Sequence, residues 1–115
     1  GFDTYDYIDD EYYESSNYYL SETVAENNAR ADNLMRRLRR FAVQHREPGF
    51  NFNNTYTNKF YILYDYEDNQ LRPNYTSYAK FFGAIYFDSE ETTKAAIDEF
   101  HDELIWYFTE YKDSL

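Results

Sequence analysis

Two imidazoles, no thiol and 22 carboxylates bound the chemistry open to this chain. His45 and His101 are the only histidines, so a zinc site would need both of them together with carboxylates. Their positions argue against it. His45 falls at the C-terminal end of a helical pattern, where a protonated imidazole is mildly favourable. His101 sits at the edge of an apolar helix face, about 100° around from Phe100. Both are expected to be capping or boundary residues. Three glycines are too few for a phosphate-cradling loop, and neither G-x-S-x-G nor H-E-x-x-H occurs. Asp65-x-Glu67-x-Asn69 opens like a calcium loop, but Gln70 replaces the required sixth-position glycine and Thr76 the required final carboxylate. Pairs such as Asp98 and Asp102 could exchange protons, yet so acidic a chain produces such pairs by chance. No catalytic residue, cofactor or metal is expected. The chain is expected to act by binding.

What it would bind follows from its charge. The net charge is −11, which repels nucleic acid and anionic membranes and attracts basic surfaces. The distribution is uneven: residues 1–29 hold eight acids and no basic residue, whereas 30–47 hold six arginines against Asp32 and Glu47. Toward the C-terminus, helical rotation places Asp98, Glu99, Asp102, Glu103 and Glu110 away from the apolar stripe, with Trp106 among them. A tryptophan ringed by carboxylates suits an interface, where aromatic anchors are surrounded by polar groups; the alternative is that it packs beneath the N-terminal helix. A second acidic surface lies in the first twenty residues, where Asp3, Asp6, Asp9, Asp10, Glu11 and Glu14 interleave with Tyr5, Tyr7, Tyr12 and Tyr13. Carboxylates can stand in for phosphates, which recur at one charge per about 1.7 Å of duplex DNA. Tyrosine rings can fill base-stacking pockets. Such a segment is a nucleic-acid mimic or a solubilising tail. Arg36, Arg37, Arg39 and Arg40 could touch phosphates, but the net charge favours pairing with the chain's own acids or with a second subunit.

The elements that must position these residues are readable. At 115 residues there is room for one modest core. The 15 tyrosines and 10 phenylalanines outnumber the usual aliphatic residues, so many half-buried aromatic positions are expected. Residues 1–20 read as a flexible or partner-ordered arm, because their acids and tyrosines lack periodicity. A helix is predicted over 21–45, capped by Ser21, with Val24, Ala31, Leu34, Leu38, Phe41 and Ala42 on one stripe. Pro48 and Gly49 end it, and the Asn-rich stretch that follows is a loop. Strands are predicted at 59–66, at 71–78 (poorer, edge-like because of Pro73) and at 81–87. A last helix over 88–112 opens with Asp88 and Glu91 at capping-box spacing and places Thr93, Ala96, Ile97, Phe100, Leu104, Tyr107, Phe108 and Tyr111 on one side. The expected fold is α+β, in the order α-β-β-β-α. A three-stranded antiparallel sheet would carry the C-terminal helix across one face, with the N-terminal helix packed on it or paired with another copy.

The stretch FYILYDYEDNQL, followed by GAIYFDSEETTKAAIDEFHDELIWYFTEYKD, resembles a module of small acidic proteins carried by phages and prophages of Gram-positive bacteria. The shared marks are a strand–turn–strand block, an aromatic G-x-I-Y-F strand, and a helix opening S-E-E and closing W-Y-F-T-E-Y. The resemblance covers 59–113 and leaves out the arm. It implies mobile-element biology, in which such proteins inhibit host defence, and it implies no catalysis.

Three functions are consistent with these features. The first is an inhibitor that blocks a basic nucleic-acid-binding protein, a nuclease or CRISPR effector, in the host cytoplasm. Its contact residues would be Asp6, Asp9, Asp10, Glu11, Tyr12 and Glu14 of the arm, with Asp98, Glu99, Asp102, Glu103, Trp106 and Glu110 of the last helix. The second is an oligomeric interaction module pairing through the 21–45 helix. The third is a secreted binding protein with sulfated tyrosines and sequons at Asn53 and Asn74. No apolar run of membrane-spanning length and no signal-peptide pattern occurs, so a membrane span is not expected. The first residue is glycine, so a trimmed N-terminus is expected and what precedes Gly1 is not read.

Overall fold

Helix α1 runs from Asn17 to Gln44, in a computed structural model that describes residues 17–114, with side chains from Ser21 onward. Its apolar residues recur at three- and four-residue spacing, and Ala31, Leu34, Leu38 and Ala42 are each no more than 4% exposed. The helix begins four residues before the expected cap, so Ser21 lies inside it. No glycine or proline stands between Asn17 and Ser21 to stop it. At the other end, Pro48 and Gly49 form the centre of a turn closed by the Phe50 amide on the Glu47 carbonyl, at 3.2 Å. Gly49 has φ +79°, the left-handed conformation that a type II turn requires at its third position.

The chain divides into two compact units. Of the described residues, the first holds 17–33 of α1 and residues 111–114, where the Tyr111 hydroxyl donates to the Asn28 side-chain oxygen. The second is residues 34–110 and holds every other element.

In that second unit, β1 (Lys59–Asp65) and β2 (Gln70–Thr76) form an antiparallel hairpin. The turn is 66–69, one residue earlier than predicted, and Asn69 takes φ +55°, a conformation open to asparagine at modest cost. The Asp65 carboxylate accepts from the Glu67 amide at 2.9 Å and the Asp68 amide at 3.2 Å, and lies 3.3 Å from the Arg72 guanidinium. Those amides, Asp68 foremost, and then Arg72 hold its pKa below the ordinary 3.8, against the opposing effect of partial burial. Pro73 pairs with Ile62. Phe60 directs both its main-chain groups at Phe87, so by alternation Ile62 also points away from β2, and the missing proline N–H costs the ladder nothing.

The expected third strand is not formed. Among the described residues the sheet has two strands, and 81–87 contributes one isolated bridge in which Phe60 and Phe87 exchange hydrogen bonds of 3.1 and 2.8 Å. Gly83 is the reason. It takes φ +81° in a turn closed by the Ala84 amide on the Phe81 carbonyl, which carries the chain off the edge of β1. The Tyr86 hydroxyl accepts from the Phe81 amide and secures that departure.

Lys59 holds the open end of the hairpin. It is 3% exposed, and its ammonium donates to the carbonyls of Asn54 (2.8 Å), Thr57 (2.9 Å) and Ser77 (2.6 Å). All three protons are thereby satisfied, which a buried ammonium requires.

The last helix is also revised. It comprises α2 (Glu90–Glu99) and α3 (His101–Thr109), separated at Phe100. The core joins Leu34, Leu38 and Ala42 of α1 with Phe87, Ala96, Ile97, Phe100 and Leu104, and Phe60, Ile62 and Leu71 of the hairpin pack against it. Its centre is more aliphatic than the composition suggested, and of the described tyrosines only Tyr86 is buried. No helix among the described residues is long and apolar enough to cross a membrane.

Two predictions follow from the hairpin. Lys59→Met keeps the stem but strips three carbonyls of their donor, and should lower stability by about 2–3 kcal/mol in urea unfolding; an unchanged midpoint would contradict the cage. Asp65, with its pKa depressed by folding, stabilises the fold above pH 3.8 and loses that contribution as pH falls through its folded value. Asp65→Asn should therefore be less stable than the parent at pH 7, and the two should converge in acid.

Candidate protein-binding surface

Ser89 starts α2 by accepting the Thr92 amide at 3.1 Å on its hydroxyl, with an extended backbone (φ −154°, ψ 162°). The expected Asp88–Glu91 capping box is not formed, because the Asp88 carboxylate accepts the Glu47 amide at 2.7 Å. The cap therefore moves one residue along, and Thr93, with no exposure at all, donates back to the Ser89 carbonyl at 2.7 Å. Thr93, Ala96 and Ile97 turn inward, which leaves Asp98 and Glu99 exposed. At Phe100 the backbone leaves helical geometry (φ −110°, ψ 23°). That break coincides with a buried ring set edge-on to Phe41 at 5.8 Å and covered by the Arg37 guanidinium at 5.1 Å.

Helix α3 then presents Asp102, Trp106 and Glu110 at four-residue spacing, with Glu103 between the first two. Asp102 and Glu110 are exposed, whereas Glu103 and Trp106 are half-buried and have contacts of their own. Trp106 stands outside the side chains that pack on the core. Asp98, Glu99, Asp102 and Glu103 border one shallow depression together with Arg37 and His101. The His101 Nδ1 lies 3.2 Å from the Asp102 carboxylate. The six residues expected on this helix are thus brought to two successive short helices, four of them around one depression. The arm residues Asp6, Asp9, Asp10, Glu11, Tyr12 and Glu14 lie outside the described residues.

Electrostatics show what these carboxylates do not do. Glu90 and Glu91, and likewise Asp102 and Glu103, lie in the first turns of their helices, where the dipole favours negative charge. Asp98 and Glu99 end α2, and Glu110 is the C-cap of α3, where the dipole disfavours it and no basic residue compensates. Among the described residues, Asp98, Glu99 and Glu110 form no ion pair; those seen join Arg72 to Asp65 and Asp68, Lys94 to Glu90, and His101 to Asp102. These three charges add nothing to helix stability.

Of the two pairings expected for the arginines, the one with the chain's own acids is not seen among the described residues. Arg36, Arg37, Arg39 and Arg40 are exposed, and among the described residues none pairs with a carboxylate of the chain. Two further features escaped sequence reasoning. Arg39 and Arg46 meet Lys80 in a second depression. Tyr75, Tyr78, Phe81 and Phe82 are exposed, Phe82 completely, and the last two lie in the segment that does not join the sheet as a strand. The break within FFGAIYF was signalled by its glycine; the position of Lys80 carried no local signal. Among the described residues no group of three or more ligand-type side chains could hold a metal ion.

No family model, curated protein or solved structure matches the chain.

If the charges at the end of α2 oppose its dipole, the double variant Asp98→Lys/Glu99→Lys should be as stable as the parent or more so, by about 0.3–1 kcal/mol at low ionic strength. A clear loss in thermal unfolding would show that these carboxylates support the fold.

Proposed function

We propose that the chain is a non-catalytic, phage-encoded inhibitor whose acidic and aromatic surface imitates nucleic acid and occludes a basic nucleic-acid-binding defence protein in the bacterial cytoplasm. The observation that carries this reading is the placement of Asp98, Glu99 and Glu110, solvent-facing, without ion pairs among the described residues and set against their helix dipoles. Charges that do not help the fold are available to a partner. Trp106, half-buried beside Asp102 and Glu110 along α3, supplies the aromatic anchor that such a contact uses. The arm residues Asp6, Asp9, Asp10, Glu11, Tyr12 and Glu14 extend the same chemistry toward the N-terminus. Phage origin rests on the sequence resemblance over 59–113 alone.

An oligomeric module is the second reading, and the exposed Tyr78 and Phe82 favour it. Pairing through α1 is less favourable: Leu34, Leu38 and Ala42 are occupied in the core, which leaves a face of arginines toward a second copy.

The test is capture from bacterial lysate at low and high salt, with the parent and Asp98→Lys/Glu99→Lys/Asp102→Lys side by side. Retention of a basic nucleic-acid-binding protein that is lost in high salt and absent from the variant supports charge mimicry. Equal capture by the variant refutes it, and recovery of only the chain's own copies at both salts supports the oligomer.

A further inference from the structure

We propose that the depression between the C-terminal end of α1 and residues 80–86 is a binding site for a small phosphate-bearing molecule. Arg39 stands on α1 and Arg46 in the segment just beyond its end at Gln44, and both border the depression together with Ala42. Lys80 borders the same depression from the 80–86 segment. The cavity they border has a volume of about 240 Å³ and is completed by Phe52, Ile85 and Tyr86. No acid lines it. That absence is informative in a chain with twice as many acidic as basic residues. Arg72 and Lys94 each find a carboxylate, whereas among the described residues Arg39, Arg46 and Lys80 find none.

Two of the three cations are already held in place. The Arg46 guanidinium lies 4.7 Å from the centre of the Phe52 ring. The Lys80 ammonium donates to the Asn53 side-chain oxygen at 3.0 Å, which leaves two protons free for a ligand. Ordering these long side chains is therefore partly achieved on folding, and less of that entropy is lost on binding. Three positive charges bordering one cavity, two of them guanidinium forks, suit a multiply charged phosphate better than a single carboxylate. The apolar wall of Phe52, Ile85 and Tyr86 gives room for the group that the phosphate esterifies.

The overall negative charge of the chain decides the size of the ligand. Repulsion from distant carboxylates is screened over about 8 Å at physiological ionic strength, so a ligand confined to the depression meets chiefly its three cations. A nucleic acid offers the same phosphate chemistry, but its backbone would extend beyond the depression over a surface that repels it. The geometry therefore favours a free phosphoester or diphosphate. The acidic face of α2 and α3 plays no part in this site, so the two proposals stand or fall separately.

Calorimetric titration of the full chain with pyrophosphate tests it, beside citrate and a short single-stranded oligonucleotide at the same ionic strength. Arg39→Gln and Lys80→Gln are the site variants. Arg40→Gln, exposed on the same helix but outside the cavity, removes an identical charge as the control. We expect saturable pyrophosphate binding, tighter than citrate, that weakens by about tenfold or more in each site variant and is unchanged in the control. Absence of saturable binding, equal weakening by Arg40→Gln, or tighter binding of the oligonucleotide would overturn the assignment.

Discussion

Phe87 is the residue through which the elements of the larger unit are joined. Its main chain exchanges two hydrogen bonds with Phe60, and its side chain is wholly buried. The core around it draws on α1 through Leu34 and Leu38 and on α2 through Ala96 and Ile97. A buried phenylalanine contributes about 1.5–3 kcal/mol from its apolar area, and truncating one commonly costs more because a cavity remains. The residue immediately after it, Asp88, secures the Glu47 amide, and the next, Ser89, caps α2. Hairpin edge, inter-helix loop and acidic helix are thus referred to three consecutive residues. The orientation of Asp98 and Glu99 follows from that junction.

Stability and charge are separated in this molecule. The core is largely apolar, and among the described residues the one buried cation, Lys59, is satisfied by carbonyls and not by an acid. Most acids of α2 and α3 therefore face solvent without a partner in the core. The proposed mimicry needs that condition, because a carboxylate engaged inside the fold cannot also present itself to a basic channel. The positive charge is partitioned too: Arg39, Arg46 and Lys80 border one cavity, while Arg37 sits on Phe100 beside the acidic depression.

How far the sequence could be read depended on whether the governing interaction was local. The α1 stripe, the two hairpin strands and the inward face of α2 were legible from the sequence: Ala31, Leu34, Leu38, Ala42, Thr93, Ala96 and Ile97 are buried, whereas Val24, Phe41 and most hairpin residues are half-buried. The hairpin turn was misplaced by one residue, because EDN and YEDN are equally turn-like until Asp65 selects the amides of Glu67 and Asp68. The third strand failed at Gly83, whose left-handed turn outweighed the β-propensity of its aromatic neighbours. The break at Phe100 has no glycine or proline to announce it and coincides with contacts to Phe41 and Arg37, some sixty residues earlier. The cage around Lys59 and the cavity shared by Arg46 and Lys80 are assembled from separated segments, so no local pattern encodes them. Exposed acids on the last helix were legible as a class. Their opposition to the helix dipoles became visible only once the single predicted helix resolved into two.

The most direct test of the central claim is carboxylate footprinting by mass spectrometry, in which a water-soluble carbodiimide couples a small amine to accessible acids in the free chain and in the captured complex. Asp98, Glu99, Asp102 and Glu110 should label strongly in the free protein and be protected in the complex, while Glu67 and Asp68 of the hairpin turn label equally in both. Undiminished labelling of the α2 and α3 acids in the complex would show that the partner docks elsewhere, and would contradict the assignment of this surface.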